Sequence, residues 1–225
     1  MAKVRVAIVG ASGYAGEELI RLLTGHPNVE LRIITSRQNA GKDISEIFPR
    51  FYGLDLRFTA PDVARIAAEC DAAFLALPHG LASEYAIPLM KSGVRVFDIS
   101  ADFRLRSTAK YKEYYGKEHP APELLKQAVY GSPERYREQI KEAAFIACPG
   151  CYPTSIILAT APLLKASGPH GDYRIFADFG DAVLAGHPTE RGVQFVTWEW
   201  DYDRAGVHHG HYFQDDYEAA KRDFI

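Results

Sequence analysis

Three cysteines in 225 residues, Cys70, Cys148 and Cys151, are too few for the disulfide framework of a small secreted domain. A reducing cytoplasm is therefore the expected compartment. Long apolar runs are missing too. No stretch approaches the ~20 residues that cross a bilayer, and the opening MAKVRVAIVG enters a strand pattern without the apolar core and small-residue cleavage site of a secretion signal. Nor does one sign of charge dominate: 26 Lys and Arg stand against 29 Asp and Glu, a net charge of −3. Nothing draws nucleic acid or an anionic membrane to the surface as a whole, so any phosphate must be bound locally. What remains is ordinary globular composition, 47% hydrophobic and 24% charged, at a length awkward for a single domain.

The near-zero charge hides two unlike parts. Residues 1–169 carry 21 basic and 18 acidic side chains, whereas 170–225 carry 5 and 11, with both tryptophans and five of the eight histidines. The turn-forming Ser167-Gly168-Pro169-His170-Gly171 marks the change. We expect a first domain over 1–167 and an atypical segment over 168–225.

The first part alternates between two periods. Strand patterns at Val4–Val9, Val29–Thr35, 72–77, 94–99 and Phe145–Ala147 are separated by helical spacings at 17–23, 64–68, Ala82–Lys91 and, after the last strand, 155–164. Such alternation implies right-handed crossovers, hence a Rossmann-type α/β fold with a mostly parallel sheet whose ligands lie at the carboxyl ends of the strands. Those ends are Gly10, Ser36, Pro78, Ser100 and Cys148.

Each end opens a distinctive segment. After the first strand, Gly10-Ala11-Ser12-Gly13-Tyr14-Ala15-Gly16 spaces its glycines three apart. Glycines allow a tight turn and close approach of a pyrophosphate, which then sits on the free N–H groups of the helix beginning near Gly13. The second strand ends in Thr35-Ser36-Arg37, a hydroxyl and a guanidinium where an NAD site usually has Asp or Glu. Guanidinium pairs with phosphate, so this end favours NADP(H), against the alternative of a solvated surface arginine. Leu77-Pro78-His79-Gly80 ends the third strand where the cofactor should pass, with Pro78 and His79 as lining residues and His79 alternatively a structural hydrogen-bonder. Ser100-Ala101-Asp102-Phe103-Arg104 follows the fourth; Arg104, with Ser100, is a candidate clamp for a substrate anion, unless Asp102 and Arg104 simply pair.

Cys148-Pro149-Gly150-Cys151 leads from the last strand into a helix. A thiol at a helix N-terminus is favoured as thiolate, which makes Cys151 a candidate nucleophile. Three readings stand: a small buried hydrophobe, a CxxC redox pair, and covalent catalysis in which Cys151 attacks an acyl carbon before hydride reduction of the thioester.

Together GASGYAGEEL at 10–19, TSRQNAGK at 35–42, LPHG at 77–80, DISADFRL at 98–105, VYGSPE at 129–134 and PGCYPTSIILATAPLLKA at 149–166 resemble the N-acetyl-gamma-glutamyl-phosphate reductases, relatives of aspartate-semialdehyde dehydrogenase. The resemblance covers about residues 3–167. It implies NADPH-dependent reduction of a small acyl phosphate, N-acetyl-gamma-glutamyl phosphate, to its semialdehyde in arginine biosynthesis, and a homo-oligomer. It makes Cys151 the nucleophile, Ser12, Gly13, Tyr14 and Ala15 the phosphate loop between Gly10 and Gly16, Ser36 and Arg37 the adenosine-side residues, and Arg104 part of an anion-binding segment. Two departures stand out. Cys148 occupies the position of the family's Asn, and neither the Lys-Ser-Gly-Val-Ser-Gly-Ala-Gly segment nor the later catalytic His of the family is recognisable in 168–225. The alternative to a reductase is thus a dinucleotide-binding protein without turnover.

The last segment reads as a ββα unit, with strands at 193–201 and 207–213, a turn at Asp203-Arg204-Ala205-Gly206 and a helix at 215–224 begun by Asp215 and Asp216. His208-His209-Gly210-His211 puts His209 and His211 on one strand face, two ligands rather than a metal site. No metal is expected.

Overall fold

The computed structural model describes residues 2–166, 174–179, 182–189, 192–200, 207–214, 216, 217, 219 and 220. Two compact units divide the chain, Met1–Gly150 and Cys151–Ile225.

In the first unit the order is β1 (Val4–Val9), α1 (Tyr14–Thr24), β2 (Val29–Thr35), α2 (Ile44–Ile47), β3 (Phe58–Thr59), α3 (Val63–Glu69), β4 (Ala72–Leu75), α4 (Ala82–Lys91) and β5 (Arg95–Asp98). Then come α5 (Thr108–Tyr115), α6 (Pro122–Gln127), β6 (Val129–Tyr130), α7 (Pro133–Glu142) and β7 (Phe145–Ala147). The seven strands form one sheet in the order β3-β2-β1-β4-β5-β7-β6, parallel at every pairing. This is the doubly wound α/β architecture expected from the alternating pattern. Strand order reverses at β1, since β2 lies on one side and β4 on the other, which opens a crevice beyond their carboxyl ends.

Two apolar layers cover this sheet, and the pleat explains how short strands feed both. Ala7 and Val9 of β1 and Ile33 of β2 pack with Leu89 of α4 on one face. Their neighbours Ile8 and Ile34 pack with Ile20 of α1 and Phe58 on the other. Helix α7 leaves little apolar signal in the sequence because only Tyr136 and Ile140, half-buried, interrupt its polar and charged residues, and it fully buries none. The two-residue strands β3 and β6 are too short for any periodicity; they exist as edge partners of β2 and β7.

The second unit begins with α8 (Cys151–Ala166), four residues longer at its start than the 155–164 expectation. It continues into β8 (Arg174–Phe179), β9 (Ala182–Thr189), β10 (Gly192–Trp200) and β11 (Val207–Gln214), a four-stranded antiparallel sheet ordered β11-β10-β9-β8. The expected hairpin is β10–β11, but it is half of the sheet. Gly186 and Pro188 disguise β9. Phe176 of β8 lies over Gly186, where an added Cβ would meet its ring at 2.1 Å, and β8 pairs with β9 only as far as Gly186, leaving Pro188 beyond that ladder. Val183, Ala185 and Val196 form the small core of this sheet with Ile175 against it. Of the expected final helix, Tyr217, Ala219 and Ala220 are helical, and the Asp216 side chain accepts from the Ala219 N–H at 2.8 Å. Asp215, the 221–224 remainder, the 203–206 turn and the 167–171 boundary turn lie outside the described residues.

Candidate functional site

The glycines after β1 separate into two duties. Gly10 has φ +86, and a Cβ there would stand 2.4 Å from the Ala76 carbonyl oxygen; at Gly16 a Cβ would meet the Ala11 backbone at 2.5 Å. Both keep the turn closed against β4 and against its own helix. At Gly13 an added Cβ would have nothing within 4 Å. Its glycine answers no demand of the fold, and it sits at the N-cap of α1, where no side chain satisfies the first N–H groups. Gly13, Tyr14 and Ala15 are exposed there. Free amides, a helix N-terminus and open space form a cradle suited to pyrophosphate.

One side of this loop is tied to the end of β2. The Ser12 and Ser36 hydroxyls lie 2.9 Å apart, Thr35 Oγ1 accepts from the Gly10 N–H at 3.3 Å, and Ser36 Oγ accepts from the Asn39 N–H at 3.2 Å. A cleft of about 230 Å³ runs beside these residues, bordered by Gly10, Ser12, Ser36, Arg37, Leu77 and Tyr85. Arg37 is exposed, yet it is not loose: Nη2 donates to the Tyr85 hydroxyl at 2.9 Å and lies 3.4 Å from Glu84. Sequence reasoning missed Tyr85, since it comes from α4, 48 residues away, and nothing local marks it.

Beyond β4, Pro78 and His79 turn into α4. The buried Asp102 carboxylate accepts from the Gly80 N–H at 2.7 Å and the Ala82 N–H at 3.1 Å, and its Oδ1 lies 2.6 Å from His79 Nδ1. The His79 ring stacks on Tyr115, centroids 4.3 Å apart. His119 Nε2 reaches the Asp102 carbonyl at 3.1 Å while its Nδ1 accepts from the Ala121 N–H; burial holds this imidazole below its usual pKa. An Asp102–Arg104 ion pair does not form. Arg104 instead donates from Nε to the Cys148 carbonyl and from Nη2 to the Ile99 carbonyl, both at 2.8 Å. The guanidinium thereby joins the ends of β5 and β7, because parallel strands bring together ends distant in sequence. Nη1 and the second Nη2 proton remain for an anion.

Ser100 sits between two carboxylates. Its N–H and Oγ donate to Asp98 at 2.9 and 3.0 Å, and its Oγ accepts from the Asp102 N–H at 3.1 Å. Asp98 is fully buried, and burial pushes its pKa up to about 6. Burial, with the Asp98 charge adding, pushes the Cys148 thiol up to about 11. Cys70 is pushed to about 11 by the same cause. All three cysteines are free; Cys151 is the exposed one and opens α8 in the second unit. His208, His209 and His211 lie in β11, but their side chains are outside the described residues. Among those described, no group of three or more His, Cys, Asp or Glu is placed to hold a metal, and no helix is long and apolar enough to cross a membrane.

Residues 5–143 match the family described as semialdehyde dehydrogenase, NAD binding domain. The chain belongs to the semialdehyde dehydrogenase family. Among relatives, an N-acetyl-gamma-glutamyl-phosphate reductase of Akkermansia muciniphila is 55% identical over 170 residues, 74% of this chain and 49% of that protein. Another of Nitrosococcus oceani is 52% identical over 163 residues, 72% of this chain and 48% of its own length. A [LysW]-L-2-aminoadipate/[LysW]-L-glutamate phosphate reductase of Saccharolobus solfataricus is also 52% identical, over 72% and 46%. The chain spans about half the length of the curated relatives it matches. Among solved structures, aspartate semialdehyde dehydrogenase II of Vibrio cholerae shares the fold at a TM-score of 0.55 and 24% identity, over 74% of this chain and 48% of that one. The Candida albicans aspartate semialdehyde dehydrogenase solved with NADP shares it at 0.55 and 18%, over 75% and 48%. The matched residues 5–143 lie within the first unit, Met1–Gly150.

Proposed function

We propose that this chain carries the NADP-binding and nucleophile-bearing part of an N-acetyl-gamma-glutamyl-phosphate reductase, with residues 1–167 as the functional segment. The observation that carries the reading is an open cradle at Gly13, next in the chain to Ser12, which borders one cleft together with a hydroxyl and a guanidinium, Ser36 and Arg37. Gly10 to Gly16 hold the pyrophosphate, with Ser12, Tyr14 and Ala15 contributing loop amides. Ser36 and Arg37 hold the 2′-phosphate, and Pro78 and His79 border the nicotinamide half. When bound, NADPH supplies the hydride.

Cys151 is the proposed nucleophile, since the thiols of Cys70 and Cys148 stay protonated at neutral pH by virtue of their burial. Its sulfur bonds the acyl carbon of the substrate while the carbon–oxygen bond to phosphate breaks and phosphate leaves; hydride addition to the thioester then returns the thiolate and frees the aldehyde. Arg104 fastens the Cys148 carbonyl three residues before the nucleophile and is the proposed reader of a substrate anion; Ser100, expected beside it, gives both its N–H and its hydroxyl proton to Asp98 and has no donor left for that role. The substrate is a small acyl phosphate, and free thiols fit the reducing cytoplasm.

An assay with N-acetylglutamate semialdehyde, NADP and phosphate tests this reading. NADPH should form with the wild type and not with Cys151→Ala. NADPH binding without turnover in either direction would overturn the catalytic claim and leave a dinucleotide-binding protein. A second reading, a [LysW]-L-2-aminoadipate or [LysW]-L-glutamate phosphate as substrate, draws on the 52% identity to the Saccharolobus solfataricus reductase.

A further inference from the structure

We infer that Asp102 is a positioning residue that sets the tautomer of His79, so that the imidazole offers a hydrogen-bond acceptor, not a donor, to the nicotinamide carboxamide. The inference rests on the crevice being a nicotinamide dinucleotide site.

Every group converging on Asp102 that can be read without ambiguity is a donor. Gly80 and Ala82 offer only backbone N–H to the two carboxylate oxygens. A carboxylate only accepts, so His79 Nδ1, 2.6 Å from Oδ1, is the protonated ring nitrogen. The neutral imidazole then keeps its lone pair on Nε2. Asp102 itself cannot turn to suit another partner: its N–H is held by Ser100 Oγ at 3.1 Å and its carbonyl lies 3.1 Å from His119 Nε2. The His79 ring is constrained twice, in its plane by Asp102 and across its plane by Tyr115, with centroids 4.3 Å apart. Yet its side chain is 35% exposed, whereas that of Asp102 is 3% exposed. A buried carboxylate thus orients a ring that solvent can reach, beyond the carboxyl end of β4.

The ligand chemistry follows from the fold. In a doubly wound sheet a dinucleotide spans the switch point, so adenosine at Ser36 and Arg37 on the β2 side leaves nicotinamide on the β4 side. The carboxamide of nicotinamide carries an N–H₂ donor, which Nε2 of this tautomer accepts.

Asp102→Ala removes the acceptor. With no partner for a proton on Nδ1, the neutral ring takes the ordinary preference of imidazole for a proton on Nε2, and an acceptor becomes a donor toward the carboxamide; Asn would not serve, because one amide oxygen in the place of Oδ1 still accepts from both Gly80 and His79. Imidazole nitrogen NMR of the full chain at a pH about two units above the ordinary histidine value reads the tautomer directly. His79→Ala identifies the signals. Protonated Nδ1 in the wild type and protonated Nε2 in Asp102→Ala are expected, and protonated Nε2 in the wild type overturns the inference.

Binding is measured in parallel with NADPH and with adenosine 2′,5′-bisphosphate, which lacks nicotinamide. Asp102→Ala should weaken NADPH by about 3- to 10-fold, the worth of one hydrogen bond, and leave the bisphosphate unchanged. On a His79→Ala background it should weaken NADPH no further, because it acts through the ring. Equal losses for both ligands, or an undiminished effect without His79, would show a merely structural role and refute the assignment. If the wild type binds neither ligand, the dinucleotide reading fails, while the NMR result still decides what Asp102 does to His79.

Discussion

Replacing Asp98 by Asn should stabilise the protein at neutral pH, and the gain should grow with pH in a defined window. The Asp98 side chain is fully buried at the end of β5. Burial, helped by the Asp102 charge and opposed by the Ser100 hydrogen bonds and Arg104, raises its pKa to about 6. A rise of about two units above the ordinary aspartate value corresponds to about 3 kcal/mol of preference for the protonated form. Because the folded state binds this proton more tightly than the unfolded chain, stability falls as pH rises from about 4 to about 6, and the whole cost is present above that. Asn keeps the geometry without the charge: its oxygen accepts from the Ser100 N–H and its amide donates to Ser100 Oγ, which retains a lone pair for the Asp102 N–H. Urea unfolding of both proteins across the acid range gives the test. Their difference should be near zero below pH about 4 and reach about 3 kcal/mol in favour of the variant by pH about 7. Taking the difference cancels carboxylates that respond the other way, such as Asp71 and Asp43, held below the usual range by Arg5 and Ser45. A difference that stays flat with pH would refute the reasoning, for then Asp98 carries no charge penalty in the fold.

Gly10→Ala and Gly13→Ala should part company. The first meets the Ala76 carbonyl at a positive φ and should cost at least about 2 kcal/mol in melting experiments. The second should melt normally, having open space, and lose NADPH in a fluorescence titration; normal binding would remove Gly13 from the phosphate cradle. Iodoacetamide followed by peptide mass analysis should modify Cys151 first, with Cys70 and Cys148 lagging by orders of magnitude, since burial raises both their thiols to about 11. Arg37→Met should weaken NADPH about 10- to 100-fold, the scale of a charge-assisted phosphate contact, and leave NADH unaltered. A parallel loss for both cofactors would move the 2′-phosphate elsewhere.

Elements that carry their own pattern are legible in the sequence itself. Strands β1, β2 and β7 and helix α4 run over the residues that periodicity marks. Elements that exist only through a neighbour are not. The edge strands β3 and β6 have two residues each, and β9 is accepted as a strand because Phe176 covers its glycine. The site divides the same way. Gly10, Ser36, His79, Ser100 and Cys148 stand out because each follows a strand, and parallel strands put such positions on one edge. Their partners are hidden where sequence adjacency is the only guide: Asp102 and Arg104, neighbours along the chain, each turn to residues far from it.

Sequence alone determined the strand–helix alternation, the glycine spacing of the phosphate loop and the residues offered at each strand end, because backbone periodicity and turn chemistry act over a few residues. Tertiary structure decided what those residues do to one another. Arg37 against Tyr85, Arg104 against the Cys148 carbonyl and His79 against Asp102 join positions 48, 44 and 23 residues apart, and the burial that raises Asp98 comes from the sheet on either side of it. Charge, proton and tautomer depend on surroundings in three dimensions, and only the folded sheet brings those surroundings together.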